Sequence, residues 1–226
     1  MLGLGVLAAA GDPWIRWDWV HDHRALILGD LRQHAELTGI AVALGLLISF
    51  PLALLARRWR HAEAPILFVG GVLYTIPSLA LFAFLVPWTG LSRTTAEIGL
   101  VSYTILILVR NIITGLDGVP EETLDAALGM GFTGWRQLVR VELPLATPAI
   151  IAGLRIATVT TIGLVTVTVV MGQGGLAKLM LDGFTRDFRT PLVVGLGLTV
   201  ALAVGADVFL QLIERILTPW ARAGRD

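Results

Sequence analysis

Leu37-Thr38-Gly39-Ile40-Ala41-Val42-Ala43-Leu44-Gly45-Leu46-Leu47-Ile48-Ser49-Phe50-Pro51-Leu52-Ala53-Leu54-Leu55-Ala56 runs for twenty residues without a charge. At 1.5 Å per residue such a run, wound as a helix, reaches about 30 Å, the thickness of a bilayer's hydrocarbon core. Four more apolar runs follow. The 65–87 run is punctuated by Pro65, Pro77 and Pro87, so a second helix should start near Pro65, kink at Pro77 and stop near Pro87. A third helix spans about 96–116 and carries Arg110, a fourth about 145–171 with Arg155, and a fifth about 191–217 with Asp207. The fold class is therefore all-α, a polytopic membrane protein of about five transmembrane helices.

Composition agrees. Of 226 residues 55% are hydrophobic and only 15% charged, with mean hydropathy +0.78, whereas about a quarter of a soluble chain is charged. Seventeen basic residues balance seventeen acidic ones, and no basic stripe interleaves with aromatics, which excludes nucleic acid as a partner. Cysteine is absent, so disulfides, thiolate metal sites and cysteine catalysis are excluded. No long strict alternation suggests an outer-membrane barrel.

Outside the runs, Met1 to Gly11 is apolar but lacks a basic leader and a clear cleavage site, and reads as a short uncleaved lead-in. Residues 12–36 mix Trp14, Trp17 and Trp19 with acids, Arg and His, a composition suited to the membrane surface. The chain divides into an extracytoplasmic or interfacial segment 1–36, a transmembrane domain 37–218 and a tail 219–226. Charge counting barely orients it: eight basic residues fall on one side of the five spans and seven on the other. Only the cluster Arg57, Arg58 and Arg60 favours an outside N-terminus.

The longest polar stretch between spans, Asp117 to Glu142, reads as two short helices broken by glycine. Pro120 suits a first turn, with Glu121 and Glu122 at its positive end. Leu124, Ala127 and Leu128 share a face, Gly129 and Gly131 end the helix, Thr133 is placed to cap the next, and Leu143-Pro144 should turn the chain back into the membrane. Small residues at Ala126 and Ala127 allow a partner's groove to approach closely.

Asp125-Ala126-Ala127, Gly131 and Leu143-Pro144 resemble the EAA motif of ABC importer permeases, the coupling helix that meets the ATPase subunit. Asp125 stands where that family usually has Glu, which shortens the carboxylate's reach. Tyr74-Thr75-Ile76-Pro77-Ser78-Leu79-Ala80-Leu81 looks like the TIPSLAL segment of osmoprotectant permeases, and Arg110-Asn111 with Thr114-Gly115-Leu116 is similar to their RNTYTGL segment. Gly153-Leu154-Arg155, Gly172-Gln173-Gly174-Gly175-Leu176 and Asp207 resemble further stretches of the group, in order, over about residues 31–219.

This resemblance implies the type I ABC importer (MetI-like) permease fold. It implies ATPase coupling through Glu122, Asp125, Ala126, Ala127, Gly131, Leu143 and Pro144 at helices within 118–142. The expected partners are an ATP-binding subunit dimer that holds ATP and Mg, an external substrate-binding protein, and a second permease copy or paralogue, in membrane lipid. No cofactor is expected on this chain, and no enzyme activity. The expected substrates are glycine betaine, carnitine and choline. A loop that meets an ATPase faces the cytoplasm, so the chain would sit in a bacterial cytoplasmic membrane, N-terminus outside and C-terminus inside.

Two further groups stand out. Pro77 lies about 20 Å into its helix, where freed backbone groups need protein or water, so Tyr74, Thr75, Pro77 and Ser78, with Asn111, are candidates to line the translocation path; a packed proline kink is the plainer alternative. Charges inside spans usually pair, so Asp207 should neutralise Arg110 or Arg155. Gly172-Gln173-Gly174-Gly175 lacks the Lys-Ser/Thr of a phosphate loop, and His21-Asp22-His23 lacks a defined fourth metal ligand. The rival readings are an ion-coupled secondary transporter and a non-transporting membrane scaffold.

Overall fold

The computed structural model describes residues 14–222. The lead-in Met1 to Gly11 and the last four residues of the tail lie outside them. Among the described residues all regular structure is helical. Helices α2 (Arg24–Arg58), α5 (Arg93–Asp117), α8 (Leu143–Val165) and α10 (Arg189–Leu217) form the bundle. The pair α3 (Arg60–Thr75) and α4 (Ser78–Thr89) supplies a fifth, broken crossing, so the described residues hold four long apolar helices, or five spans with the bent pair.

α5 is the axis of the packing. Its Leu108, Ile112 and Leu116 are fully buried against Ala53 and Ala56 of α2 and Ala146 and Ala157 of α8. Higher up, Leu100 joins Leu37 and Ala41 of α2, Phe82 of α4 and Val165 of α8 in a second cluster. Lipid tails are as apolar as leucine, so in a membrane close backbone approach replaces the hydrophobic drive, and small residues mark the contacts. A Cβ at Gly99 would stand 2.2 Å from the ring of buried Phe82, and one at Gly153 would stand 2.4 Å from Asn111 Cβ. Large side chains at these two points are incompatible with the observed spacing of α4, α5 and α8.

α2 is longer than the first apolar run. Its 35 residues reach about 52 Å, and the charged stretch 24–36 continues the axis of the span rather than forming a separate surface segment. No proline breaks the chain there and Gly29 is carried within the helix, Arg32 and Glu36 pair one turn apart, and the fully buried His34 anchors the helix. His34 Nε2 donates to the Ile162 carbonyl at 3.0 Å, which fixes the proton on that nitrogen. Only the short α1 (Trp17–Asp22) stands apart.

Two prolines act differently from the sequence expectation. Pro77 breaks its helix outright: α3 and α4 meet at 97°. Proline removes an amide donor and pushes the preceding residue out of the helical region, and Ile76 is accordingly extended at φ −64°, ψ 127°. Pro144, expected to force a turn, instead lies inside a continuous helical run from Gly134 to Met171. α7 (Gly134–Gln137) passes through a π-helical turn at Leu138–Glu142 into α8. The Leu143 amide reaches back to Leu138, and this wider turn accommodates the proline that follows without bending the chain.

α6 (Glu121–Gly129) crosses the end of the bundle between α5 and α7, and α9 (Ala177–Thr185) packs on α10 near the start of α2. Gly99→Ala should destabilise the detergent-solubilised protein by about 1–3 kcal/mol of overpacking, seen as a lower thermal midpoint, because fully buried Phe82 has nowhere to move. Gly39→Ala, which meets open space, should leave the midpoint unchanged or raise it. Differential scanning fluorimetry of the two variants checks this.

Candidate functional site

The segment between α5 and α8 is held rigidly and presents a mixed apolar and acidic surface. Pro120 occupies the N-cap position of α6, with Glu121 and Glu122 in the first turn, where the helix dipole favours them. The other end closes in a Schellman arrangement: the Gly131 amide donates to the Leu128 carbonyl and the Phe132 amide to that of Ala127, both at 2.9 Å. This requires a left-handed residue, which Gly131 supplies at φ +82°. Thr133 sits at the N-cap position of α7, but its hydroxyl makes no capping bond.

Of the proposed coupling residues, Glu122, Asp125 and Ala126 are exposed, while Ala127 is buried and pins α6 to the bundle. Leu128, which shares a face with buried Ala127 by spacing, is itself exposed, as are Met130 and Trp135. Three large apolar side chains thus stand in the open beside Glu122 and Asp125. Leu143 and Pro144 lie under them in the first turn of α8 and do not reach this surface. Beneath, Arg57 at the end of α2 bridges Asp117 Oδ1 at 3.2 Å and Glu142, a cluster that sequence reading did not pick out.

The Ile76-Pro77 break gathers a second group. Tyr103 of α5 donates its hydroxyl to the Ile76 carbonyl, one of the groups released by the break, and its ring meets that of Tyr74 edge-on at 5.8 Å. The Thr75 hydroxyl turns back to the Val72 carbonyl at 2.8 Å. Tyr74, Thr75 and Pro77 are exposed on the single chain and Ser78 is half-buried. Asn111 does not join them. It lies two turns along α5 from Tyr103, bonded to the Ile107 carbonyl at 2.8 Å and pressed against Gly153.

The intramembrane charges resolve into one pair and one outlier. Arg155 grips Asp207 through two parallel bonds of 2.8 and 3.0 Å and lies 3.5 Å from Glu214, all half-buried between α8 and α10. Such a fork matches guanidinium to carboxylate geometry. Arg110 is exposed on α5 and takes no part. At the opposite end of the bundle, Lys178 donates to Gln33 at 2.6 Å and lies 3.9 Å from Asp30, and Gln33 donates to Gln173 at 3.0 Å, tying the glycine-rich loop to α2. Among the described residues no three histidine or acidic side chains come together as a metal site.

Among the described residues a broken crossing, four continuous apolar spans and a surface helix at one end of the bundle define a polytopic α-helical membrane protein. The chain belongs to the family of binding-protein-dependent transport system inner membrane components, whose model matches residues 41–218. It is 34% identical over 188 residues to the glycine betaine/carnitine/choline transport system permease protein OpuCB of Bacillus subtilis, covering 83% of this chain and 86% of that one. It is 35% identical over 192 residues to the osmoprotectant import permease protein OsmW of Salmonella typhimurium, covering 83% and 89%. In fold it is similar to a chain of the inward-facing MetNI methionine ABC transporter, with a TM-score of 0.73 at 20% identity over 87% of this chain and 98% of that one.

Within a membrane span, removing one partner of an ion pair leaves an uncompensated charge, which costs more than replacing both by apolar groups. Asp207→Leu should therefore destabilise the solubilised protein more than the double variant Arg155→Met/Asp207→Leu does, measured as thermal midpoints. Arg110→Met should change the midpoint little.

Proposed function

We propose that this chain is the permease subunit of an ATP-driven importer for glycine betaine, carnitine and choline, the solutes that name its relatives. The observation that carries the reading is the α6 surface. Leu128, Met130 and Trp135 are at least half exposed at the tip of a rigid segment, flanked by Glu122 and Asp125. Large apolar side chains ringed by charge suit a protein partner rather than solvent. An ATP-binding subunit dimer is that partner; it holds ATP and Mg, and this chain contributes no catalytic residue. The segment faces the cytoplasm, which puts the start of α2 and the 172–178 loop outside, where an external binding protein delivers solute.

The translocation path runs along the Ile76-Pro77 break. Peptide groups released from a helix are not left facing lipid, because hydrocarbon offers them no hydrogen bond. The exposed face at Tyr74, Thr75 and Pro77 is therefore covered by a second permease copy or paralogue, or by water between the two. The exposed Tyr74 ring, braced edge-on by buried Tyr103, supplies a face on which a quaternary ammonium group is attracted without being held tightly. Asn111 is packed between α5 and α8 and supports that wall from behind.

Asp125→Arg reverses a charge at the docking surface without touching the bundle. Co-expressed with its ATP-binding subunit, the variant should recover roughly tenfold less of that subunit on affinity purification than the unmodified chain, at unchanged thermal midpoint. Equal recovery, or no recovery with the unmodified chain, would contradict the proposed docking.

A further inference from the structure

The coupling segment leaves α5 at Asp117 and re-enters the bundle at Glu142, and one side chain from a third helix holds both ends. Arg57, one residue before the end of α2, places Nε 3.2 Å from Asp117 Oδ1 and donates through Nη1 to Glu142 Oε2. The Arg57 side chain is 26% exposed and that of Glu142 10%, so this contact is shielded from solvent far more than an ordinary surface pair. The contact also sits on unusual backbone. Glu142 is the last residue of the π-helical turn, and single π turns inside α-helices frequently occur where a side chain is presented for function.

Packing offers α6 little grip on α2. α6 rests on α7 and on the π turn, and between Leu54, Arg57 and Arg58 of α2 and Leu124, Trp135 and Leu138 of the segment lies a cavity of about 440 Å³. The ionic bridge spans this gap where apolar contact is thin. Its geometry needs arginine: the planar guanidinium addresses two carboxylates from separate nitrogens, whereas a lysine ammonium on a flexible stem would be drawn to one.

We infer that Arg57 is a positioning residue for energy coupling: it clamps the two ends of the 118–141 segment to α2, so that a push on α6 moves α2, α5 and α8 as one body. This rests on the reading of α6 as the ATPase-docking surface. Without the clamp, a displaced α6 would tilt into the cavity beneath it and α2 would not follow. ATP would still be hydrolysed, with less solute carried.

The test is a ratio. The permease is co-purified with its ATP-binding subunit and reconstituted into proteoliposomes with the external binding protein, and glycine betaine imported per ATP hydrolysed is measured. Coupling between distant sites commonly amounts to a five- to 150-fold effect, and Arg57→Lys is expected to lower the ratio roughly tenfold while ATP hydrolysis persists. Arg57→Glu/Asp117→Lys/Glu142→Arg, which reverses the sign at all three positions and so restores both contacts, should recover a ratio well above that of Arg57→Glu alone. A merely structural role would lower transport and hydrolysis together through loss of assembled complex, leaving the ratio unchanged, and that result overturns the inference. A triple variant no better than Arg57→Glu also overturns it. Failure of the unmodified chain to retain the ATP-binding subunit would instead remove the docking reading, and no Arg57 variant is needed to see it.

Discussion

A peptide group in hydrocarbon has no water to bond, and this one constraint organises the chain. It makes every crossing helical and leaves irregular backbone only where a partner is at hand. The single break inside the apolar region, at Ile76-Pro77, is answered by the Tyr103 hydroxyl on the Ile76 carbonyl. Pro144, at the start of α8, is preceded by a π turn rather than a break. Two prolines with the same chemistry thus give opposite outcomes. At Pro77 the two helical pieces diverge by 97°, and an aromatic pair marks the opening; at Pro144 the run stays continuous, so that motion at α7 reaches α8 directly.

The second constraint is ionic. Charges inside the bundle are costly unless paired, and the pairs add directed ties between neighbouring helices. α10 is mostly exposed and rests on α8 and α9, and Arg155 with Asp207 and Glu214 ties it to α8. Arg57 performs the same office at the end of the bundle for α2, α5 and the π turn, and Lys178 with Gln33 and Asp30 does so at the opposite end. Small residues and shape hold α5 against its neighbours, and charge ties α10 to α8 and both ends of the bundle.

Much of the fold was legible in the sequence because apolar length is a strong signal: twenty uncharged residues at 37–56 admit few other interpretations. The coupling segment was legible through local chemistry, since Pro120 and Gly131 each do what their backbone preferences dictate. What sequence periodicity missed was tertiary. The stretch 24–36 looks like a surface segment by composition, yet His34 finds a carbonyl on α8 and keeps it helical along the span axis. Leu128 falls on the apolar face of α6 by spacing, but nothing covers it in the single chain. The Arg57 cluster joins residues 60 and 85 positions apart, and no local pattern announces such a bridge. Asp207 was matched to a partner by depth alone, and the choice between Arg110 and Arg155 needed the side-chain geometry.

Solute movement driven by ATP is the property on which the account stands. It is tested most directly by glycine betaine uptake into proteoliposomes holding the complete complex, with enclosed ATP and no ion gradient. The account predicts uptake that stops when the ATP-binding subunit carries an inactivated nucleotide site. Uptake that continues with that subunit inactivated, or that appears only when an ion gradient is imposed, would contradict it.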